Sequence, residues 1–184
     1  MNDSLEERCT GSKTLFENGT YAFSLDRVIL PDGTTREREH LHHPGGVAIL
    51  AVNEENMLCL VQQYRHAIGR TTLEIPAGKM DKDASESREH AALRELREET
   101  GLLAGRLIPL GDVYPSPGIL DERLSLFWAQ DLKSGRQELD DDEFLNVRWM
   151  PLEAVKKAVA EGTFGDTKTI CALYRAMLRG LIAP

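Results

Sequence analysis

The sequence has no apolar run long enough to cross a bilayer. Its longest, such as Gly45 to Val52, fall far short of the roughly 20 residues that a spanning helix needs. An apolar signal core is missing too: the chain opens Met1-Asn2-Asp3-Ser4-Leu5-Glu6-Glu7, acidic and polar, which predicts a soluble, cytoplasmic protein. There are only three cysteines, Cys9, Cys59 and Cys171. An odd, scattered set excludes a disulfide framework and has no metal-ligand spacing. Cys59 falls in an apolar strand pattern and Cys171 in a helical one, so both read as buried thiols. Positive charge is scarce: 22 Lys and Arg against 30 Asp and Glu leave a formal net charge of −8. That disfavours nucleic acid as a partner, which calls for clustered Lys and Arg. If the substrate is an anion, metal ions and a few placed arginines must reverse the field locally. Repeats and low-complexity segments are absent, and no Ser or Cys constellation suggests a covalent route.

What is present is globular. A chain of 184 residues, 41% hydrophobic and 28% charged, suits one domain of ordinary size with a real core. Tyr21 to Leu30 reads as a strand, Pro31-Asp32-Gly33-Thr34 as a turn, and Thr35 to His43 as the returning strand. This hairpin precedes the main domain. Val47 to Val52, Met57 to Tyr64, Thr71 to Pro76, Leu107 to Tyr114, Leu124 to Leu132 and Leu145 to Met150 read as further strands. A helix is predicted over about Ala84 to Thr100, with Asp83 and Glu86 in capping-box spacing and Gly101 at its stop. Two more close the chain: Leu152 to Glu161, opened by Pro151, and about Thr167 to Arg179, with Asp166 as N-cap. Strands with helices interspersed, not strictly alternating, predict an α+β fold with a mixed sheet packed between helices.

The stretch Arg94-Glu95-Leu96-Arg97-Glu98-Glu99 carries the chemistry. At about 100° per residue, Glu95 and Glu99 lie about 40° apart on the helix, and Glu98 about 60° to the other side of Glu95. Three carboxylates share one arc, while Ala92, Leu93 and Leu96 occupy the neighbouring arc and suit a core. Such an arc is either a solvated charged face or a cage of hard oxygen ligands for Mg²⁺ or Mn²⁺. Arg94, four residues before Glu98, offsets one charge.

Gly78, Glu86, Arg94, Glu95, Leu96, Glu98, Glu99, Gly101 and Leu102 together resemble the Nudix box. Glu86 to Leu102 matches position for position. The loop before it departs: Lys79 to Ser85 makes seven residues where the family usually has five, a two-residue extension. The resemblance implies a Nudix-type α/β/α sandwich with a mixed sheet, preceded by an N-terminal antiparallel hairpin or sheet. It implies Glu95, Glu98 and Glu99 as metal ligands, joined by the Ala77 carbonyl, with Arg94 orienting the carboxylates. The implied cofactor is Mg²⁺, for which Mn²⁺ can substitute, and Glu98 and Arg94 count with the catalytic set.

Three further stretches look like the ADP-ribose pyrophosphatase branch: His43-Pro44-Gly45-Gly46-Val47-Ala48, Gln63-Tyr64-Arg65-His66 and Leu73-Glu74-Ile75-Pro76-Ala77-Gly78. Pro117, sixteen residues after Gly101, is a mark of that branch, although Pro115-Ser116-Pro117-Gly118 is also plain turn composition. Arg65 reads as an exposed strand-end arginine or as a guanidinium forking onto the substrate diphosphate. Glu74 reads as a surface carboxylate or, by resemblance, as a group near the nucleotide. Asp140-Asp141-Asp142-Glu143 reads as a solvated loop; by resemblance, Glu143 becomes the general base, carried by a loop that approaches when substrate is bound. His40 and His42 share a strand face. They are able to bind a metal, although satisfied or exposed histidines are the commoner outcome.

The resemblance therefore implies hydrolysis of the pyrophosphate bond of a nucleoside diphosphate sugar, ADP-ribose foremost, to AMP and ribose 5-phosphate. GDP-mannose or another nucleotide sugar is the rival substrate. A silent Nudix-like nucleotide-sugar sensor is the rival class; it would be expected to lack a box carboxylate, and none is missing. Residues 1–43 are expected to form a strand or hairpin region for dimerisation and base binding, and residues 44–184 the hydrolase domain. A hairpin alone is marginal in water and its edges invite pairing. A homodimer is therefore expected, with Arg36 or Arg38 brought toward the partner's substrate.

Overall fold

The computed structural model describes residues 4–80 and 85–183. The chain forms two compact units. One runs to Gly45 and includes Tyr114–Arg123; the other holds Gly46–Val113 and the chain from Leu124 onward.

In the first unit, β1 (Arg8–Glu17), β2 (Ala22–Ile29) and β3 (Thr35–His42) form an antiparallel sheet in that order. The predicted turn joins β2 to β3: Asp32 Oδ1 accepts from the Thr34 backbone N–H at 2.8 Å, and Gly33 takes φ +82°, a conformation that glycine reaches without a Cβ clash. The strand β1 is a correction, because the sequence shows no element before Tyr21. All ten of its residues are exposed, so no apolar alternation marks it, and it is a strand only because its backbone pairs with β2. The segment Tyr114–Arg123 lies along β3. Leu41 N–H donates to the Ile119 carbonyl at 2.7 Å, and Asp121 N–H donates to the Leu41 carbonyl at 3.3 Å.

The second unit contains β4 (Gly46–Ala51), β5 (Met57–Arg65), β6 (Arg70–Glu74), β7 (Ala77–Lys79), α1 (Arg88–Thr100), β8 (Leu102–Val113), β9 (Leu124–Ser134), β10 (Leu145–Pro151), α2 (Leu152–Ala160) and α3 (Thr167–Leu178). A four-stranded mixed sheet runs β7-β4-β9-β8, with β4 and β9 parallel and the other pairs antiparallel. A three-stranded antiparallel sheet runs β10-β5-β6. Period-2 alternation sets the layers. Ala48 and Leu50 of β4 cluster with Leu152, Val155, Ala172 and Leu173 of α2 and α3, whereas Val47, Ile49 and Ala51 cluster with Ala91, Ala92 and Leu96 of α1. All six residues of β4 are buried, as a strand covered on both faces requires. This is the expected α+β fold, an α/β/α sandwich around a mixed sheet. Truncating fully buried Leu96 to Ala would cost roughly 2–5 kcal/mol.

Four local expectations are corrected. The helix α1 begins at Arg88, capped by Ser87, rather than at Ala84; the expected cap Asp83 lies outside the described residues. Strand β8 begins at Leu102, directly after the helix stop, because its backbone pairs with β9 from that residue, Leu102 opposite Ser134. Leu93 is 38% exposed rather than part of the core. Cys171 is half-buried, while Cys59 is buried as expected. No described helix is long and apolar enough to cross a membrane.

Candidate active site

Both ends of α1 are fixed. Ser87 Oγ accepts from His90 N–H at 3.2 Å, and Gly101, at φ +71°, sends its N–H to the Arg97 carbonyl at 2.8 Å. The chain after β9 covers the last-turn carbonyls, which have no helical partner of their own. Gln137 Nε2 donates to Glu99 O at 2.7 Å, Glu138 N–H to Glu98 O at 3.0 Å and Gly135 N–H to Gly101 O at 2.6 Å. These bonds tie the acidic turn to the chain that leaves β9.

Arg94 organises the carboxylates. Its Nε and Nη2 fork onto Glu86 at 3.0 and 2.9 Å, and its Nη1 donates to Glu95 at 2.7 Å and to Glu98 at 2.9 Å. These partners, Glu86 foremost, hold the guanidinium pKa well above its usual value. The two-residue loop extension does not prevent Glu86 from reaching Arg94.

The run into β7 meets the helix closely. A Cβ placed on Gly78 would lie 1.9 Å from Glu95 Cδ, so only glycine lets the Glu95 carboxylate rest on the strand. Ala77 N–H donates to Glu99 Oε2 at 2.9 Å, Ile49 N–H donates to the Pro76 carbonyl at 2.9 Å, and Ile75 N–H donates to Thr169 Oγ1 at 2.9 Å. Three successive residues are thus pinned by three different elements.

Glu95 and Glu99 are 6% and 3% exposed, far from the solvated face that charge alone suggests. Burial, then the charges of Glu95 and Glu143, push the Glu99 carboxyl up to about 8 against the Ala77 N–H. A carboxyl raised by burial and then by like-charged neighbours, among further oxygen donors, fits a hard divalent cation. In this arrangement Glu95 and Glu98 turn to Arg94 and Glu99 to the Ala77 amide, so closing a ligand set takes side-chain rotation. Half-buried Glu143 lies in a turn where its N–H donates to the Asp140 carbonyl at 3.0 Å and its Oε2 accepts from Asp140 N–H at 3.3 Å.

Glu74 is 3% exposed and so is not a surface carboxylate. Arg65 forks onto it at 2.8 and 2.5 Å, Thr72 Oγ1 donates at 2.5 Å, and Lys168 Nζ pairs with it as well. Burial would raise its pKa, but the Arg65 fork and the Lys168 charge outweigh burial and take it down to about 2. Lys168 also bridges to Asp166 at 2.9 Å. Sequence reasoning missed Lys168 and Thr169. Both lie 94 residues from their β6-side partners, and no local pattern signals such a pairing.

Arg36, Arg38 and Pro117 belong to the other unit. Arg38 forks onto Glu7 at 2.9 and 2.7 Å, and Arg36 Nη1 donates to the Thr35 carbonyl at 2.8 Å. Pro117 is exposed in a turn closed by Leu120 N–H to the Ser116 carbonyl at 2.9 Å. His40 and His42 are gathered there with Asp121.

A model of the NUDIX domain matches residues 42–173. The ADP-ribose pyrophosphatase of Bacillus subtilis (strain 168) is 39% identical over 178 residues, covering 96% of this chain and 95% of that protein. The methanol dehydrogenase activator of Bacillus methanolicus is 35% identical over 181 residues, covering 97% of each. A solved structure described as an ADP compounds hydrolase is similar with a TM-score of 0.83, at 24% identity over 98% of both chains. That last likeness concerns the fold.

Proposed function

The chain belongs to the Nudix hydrolases, and from that premise we propose that it cleaves the pyrophosphate bond of ADP-ribose, giving AMP and ribose 5-phosphate. The observation that carries this reading is the seating of Glu86, Glu95 and Glu98 on one guanidinium, with Glu99 buried beside Ala77. The 39% identical ADP-ribose pyrophosphatase supports the choice of substrate.

Glu95, Glu98, Glu99 and the Ala77 carbonyl would hold divalent ions. An all-oxygen set suits Mg²⁺, with Mn²⁺ as substitute. When bound, such ions neutralise the diphosphate and acidify the attacking water. Gly78 and Arg94 fix where the carboxylates stand. Glu143, outside the rigid helix and close enough for its charge to act on Glu99, takes the proton of the water that adds to phosphorus. The bridging P–O bond breaks, and the departing phosphate keeps the bridging oxygen. Two of Arg65's N–H groups are taken by Glu74, and its Nη1 donors serve the diphosphate; Glu74 orients Arg65 beside the nucleotide. Pro117 borders the substrate.

The same reading makes residues 1–43 a dimerisation and base-binding region and the working form a homodimer. Support comes from β1, an edge strand exposed along its whole length, with Leu15 and Phe16 at 50% and 59% exposure. Arg36 and Arg38 would reach the partner's substrate. The three free thiols suit a cytoplasmic location.

The test is product analysis over a panel of nucleotide sugars with Mg²⁺. AMP release from ADP-ribose should exceed GMP release from GDP-mannose in kcat/KM and vanish with chelator. No AMP from ADP-ribose would overturn the proposal, and dominant GMP release would move the substrate to GDP-mannose.

A further inference from the structure

His40 and His42 alternate with Leu41 on β3 and so share one face of the first unit's sheet. The backbone pairing of Tyr114–Arg123 with Leu41 delivers Asp121 to that face from 79 and 81 residues away in sequence. Its Oδ2 meets His42 Nδ1 at 2.7 Å and His40 Nε2 at 3.2 Å, and its Oδ1 accepts from the His43 backbone N–H at 2.7 Å. Asp121 is therefore oriented by backbone, with one oxygen left for the two imidazoles. Among the described residues this is the one trio of His, Cys, Asp or Glu whose ligand atoms all lie within 4.8 Å of one another.

Proton counting shows what the trio needs. The other nitrogen of His40, Nδ1, faces Asp26 Oδ2 at 3.1 Å. Asp26 is anchored through Oδ1 by the hydroxyls of Ser12 and Ser24 at 2.5 and 2.9 Å. Both nitrogens of His40 thus face carboxylate oxygens, and a neutral imidazole carries a single N–H. With that N–H on Nδ1, toward anchored Asp26, the Nε2 lone pair points at a lone pair of Asp121. Either a second ring proton, donated to Asp121, or a metal cation between Nε2 and Asp121 Oδ2 removes the conflict. With the cation, Asp26 acts as the carboxylate that orients a metal-bound histidine, a common outer partner of such ligands.

We propose that His40, His42 and Asp121 form a second metal site, for a divalent transition ion of the Zn²⁺ class, separate in chemistry from the box carboxylates. The spacing suits it. With metal–ligand bonds of about 2.0–2.2 Å, ligand atoms around a tetrahedral ion stand about 3.3 Å apart. The His40–Asp121 contact is near that already, and the His42–Asp121 contact opens by about half an ångström. Two imidazoles and one carboxylate select Zn²⁺, Co²⁺ or Ni²⁺ over Mg²⁺. The side chains of His40, His42 and Asp121 are 38%, 61% and 35% exposed, which leaves room for ion entry and a water as fourth ligand. Two ligands come from a strand and one from a distant segment, so the ion would staple Tyr114–Arg123 to β3.

The test is titration of the full chain with Co²⁺ in excess Mg²⁺, which occupies the oxygen-only carboxylate site. Wild type should bind one equivalent with the intense visible d–d bands of a low-coordinate ion and without a thiolate charge-transfer band. His42→Ala and Asp121→Asn should lose those bands, and Asp26→Asn should weaken binding about 10–100-fold. Zn²⁺ should displace Co²⁺ stoichiometrically. Four results would each overturn the site: no d–d bands in wild type, a thiolate band from Cys9 in their place, unchanged bands in both His42→Ala and Asp121→Asn, or a His40 ring that stays imidazolium by NMR through the Zn²⁺ titration. The wild-type measurements decide the matter even if a variant folds poorly.

Discussion

Replacing Glu74 with glutamine keeps its shape and removes the charge on which Arg65, Thr72 and Lys168 converge. The folded-state carboxyl sits at about 2 against an ordinary value of 4.5. The difference, 4.5 − 2 = 2.5, is worth on the order of 3 kcal/mol. Arg65 is 43% exposed, and solvent screening of that partner lowers the expected loss to about 2–3 kcal/mol at neutral pH. The sign is that of a depressed acid. Its stabilisation is fully present above pH 4.5 and is lost as pH falls through about 2. Denaturant unfolding of wild type and Glu74→Gln at several pH values isolates this group, because every other carboxylate is common to both proteins. The gap should be full at pH 7, shrink below about pH 4.5 and close near pH 2. A gap that is pH-independent, or below about 0.5 kcal/mol at pH 7, would refute the network's assigned role.

Gly78→Ala drives a methyl group into the Glu95 carboxylate, which must leave its seat on Arg94. A displacement on the order of 1 Å predicts a loss of about 10²-fold in kcat/KM, and kinetics with near wild-type values would sink the close-approach argument. Glu99→Gln should abolish turnover at saturating Mg²⁺ while stability without metal holds or rises, because a buried carboxyl crowded by like charge is removed. Glu143→Gln should lower kcat by about 10²–10⁴-fold while metal affinity stays near wild type. An unchanged kcat would pass the proton-accepting role to Asp141, Asp142 or a box glutamate. Sedimentation equilibrium should show a dimer at micromolar concentration, and a monomer there would exclude the proposed assembly.

Local features were legible along the chain. The box helix, its Gly101 stop and the placing of Glu95, Glu98 and Glu99 on one arc follow from 3.6-residue periodicity and from chemistry within a single turn. The six buried positions of β4 follow from an apolar run of strand length, and the Asp166 cap of α3 from its place before the periodic segment. The remaining features needed the folded chain. It buried Glu95 and Glu99, which composition presents as surface charge, because the Gly78 strand closes over them. Glu74 changed from a surface candidate into the centre of a buried ion network because Lys168 arrives from α3, 94 residues away. Strand β1 came from backbone pairing alone, with no side-chain pattern to announce it. Asp121 met His40 and His42 only when a distant segment paired with β3. In each case the deciding partner lies tens of residues away, and the free energy of such a contact depends on a position that the folded chain, not the neighbouring sequence, supplies.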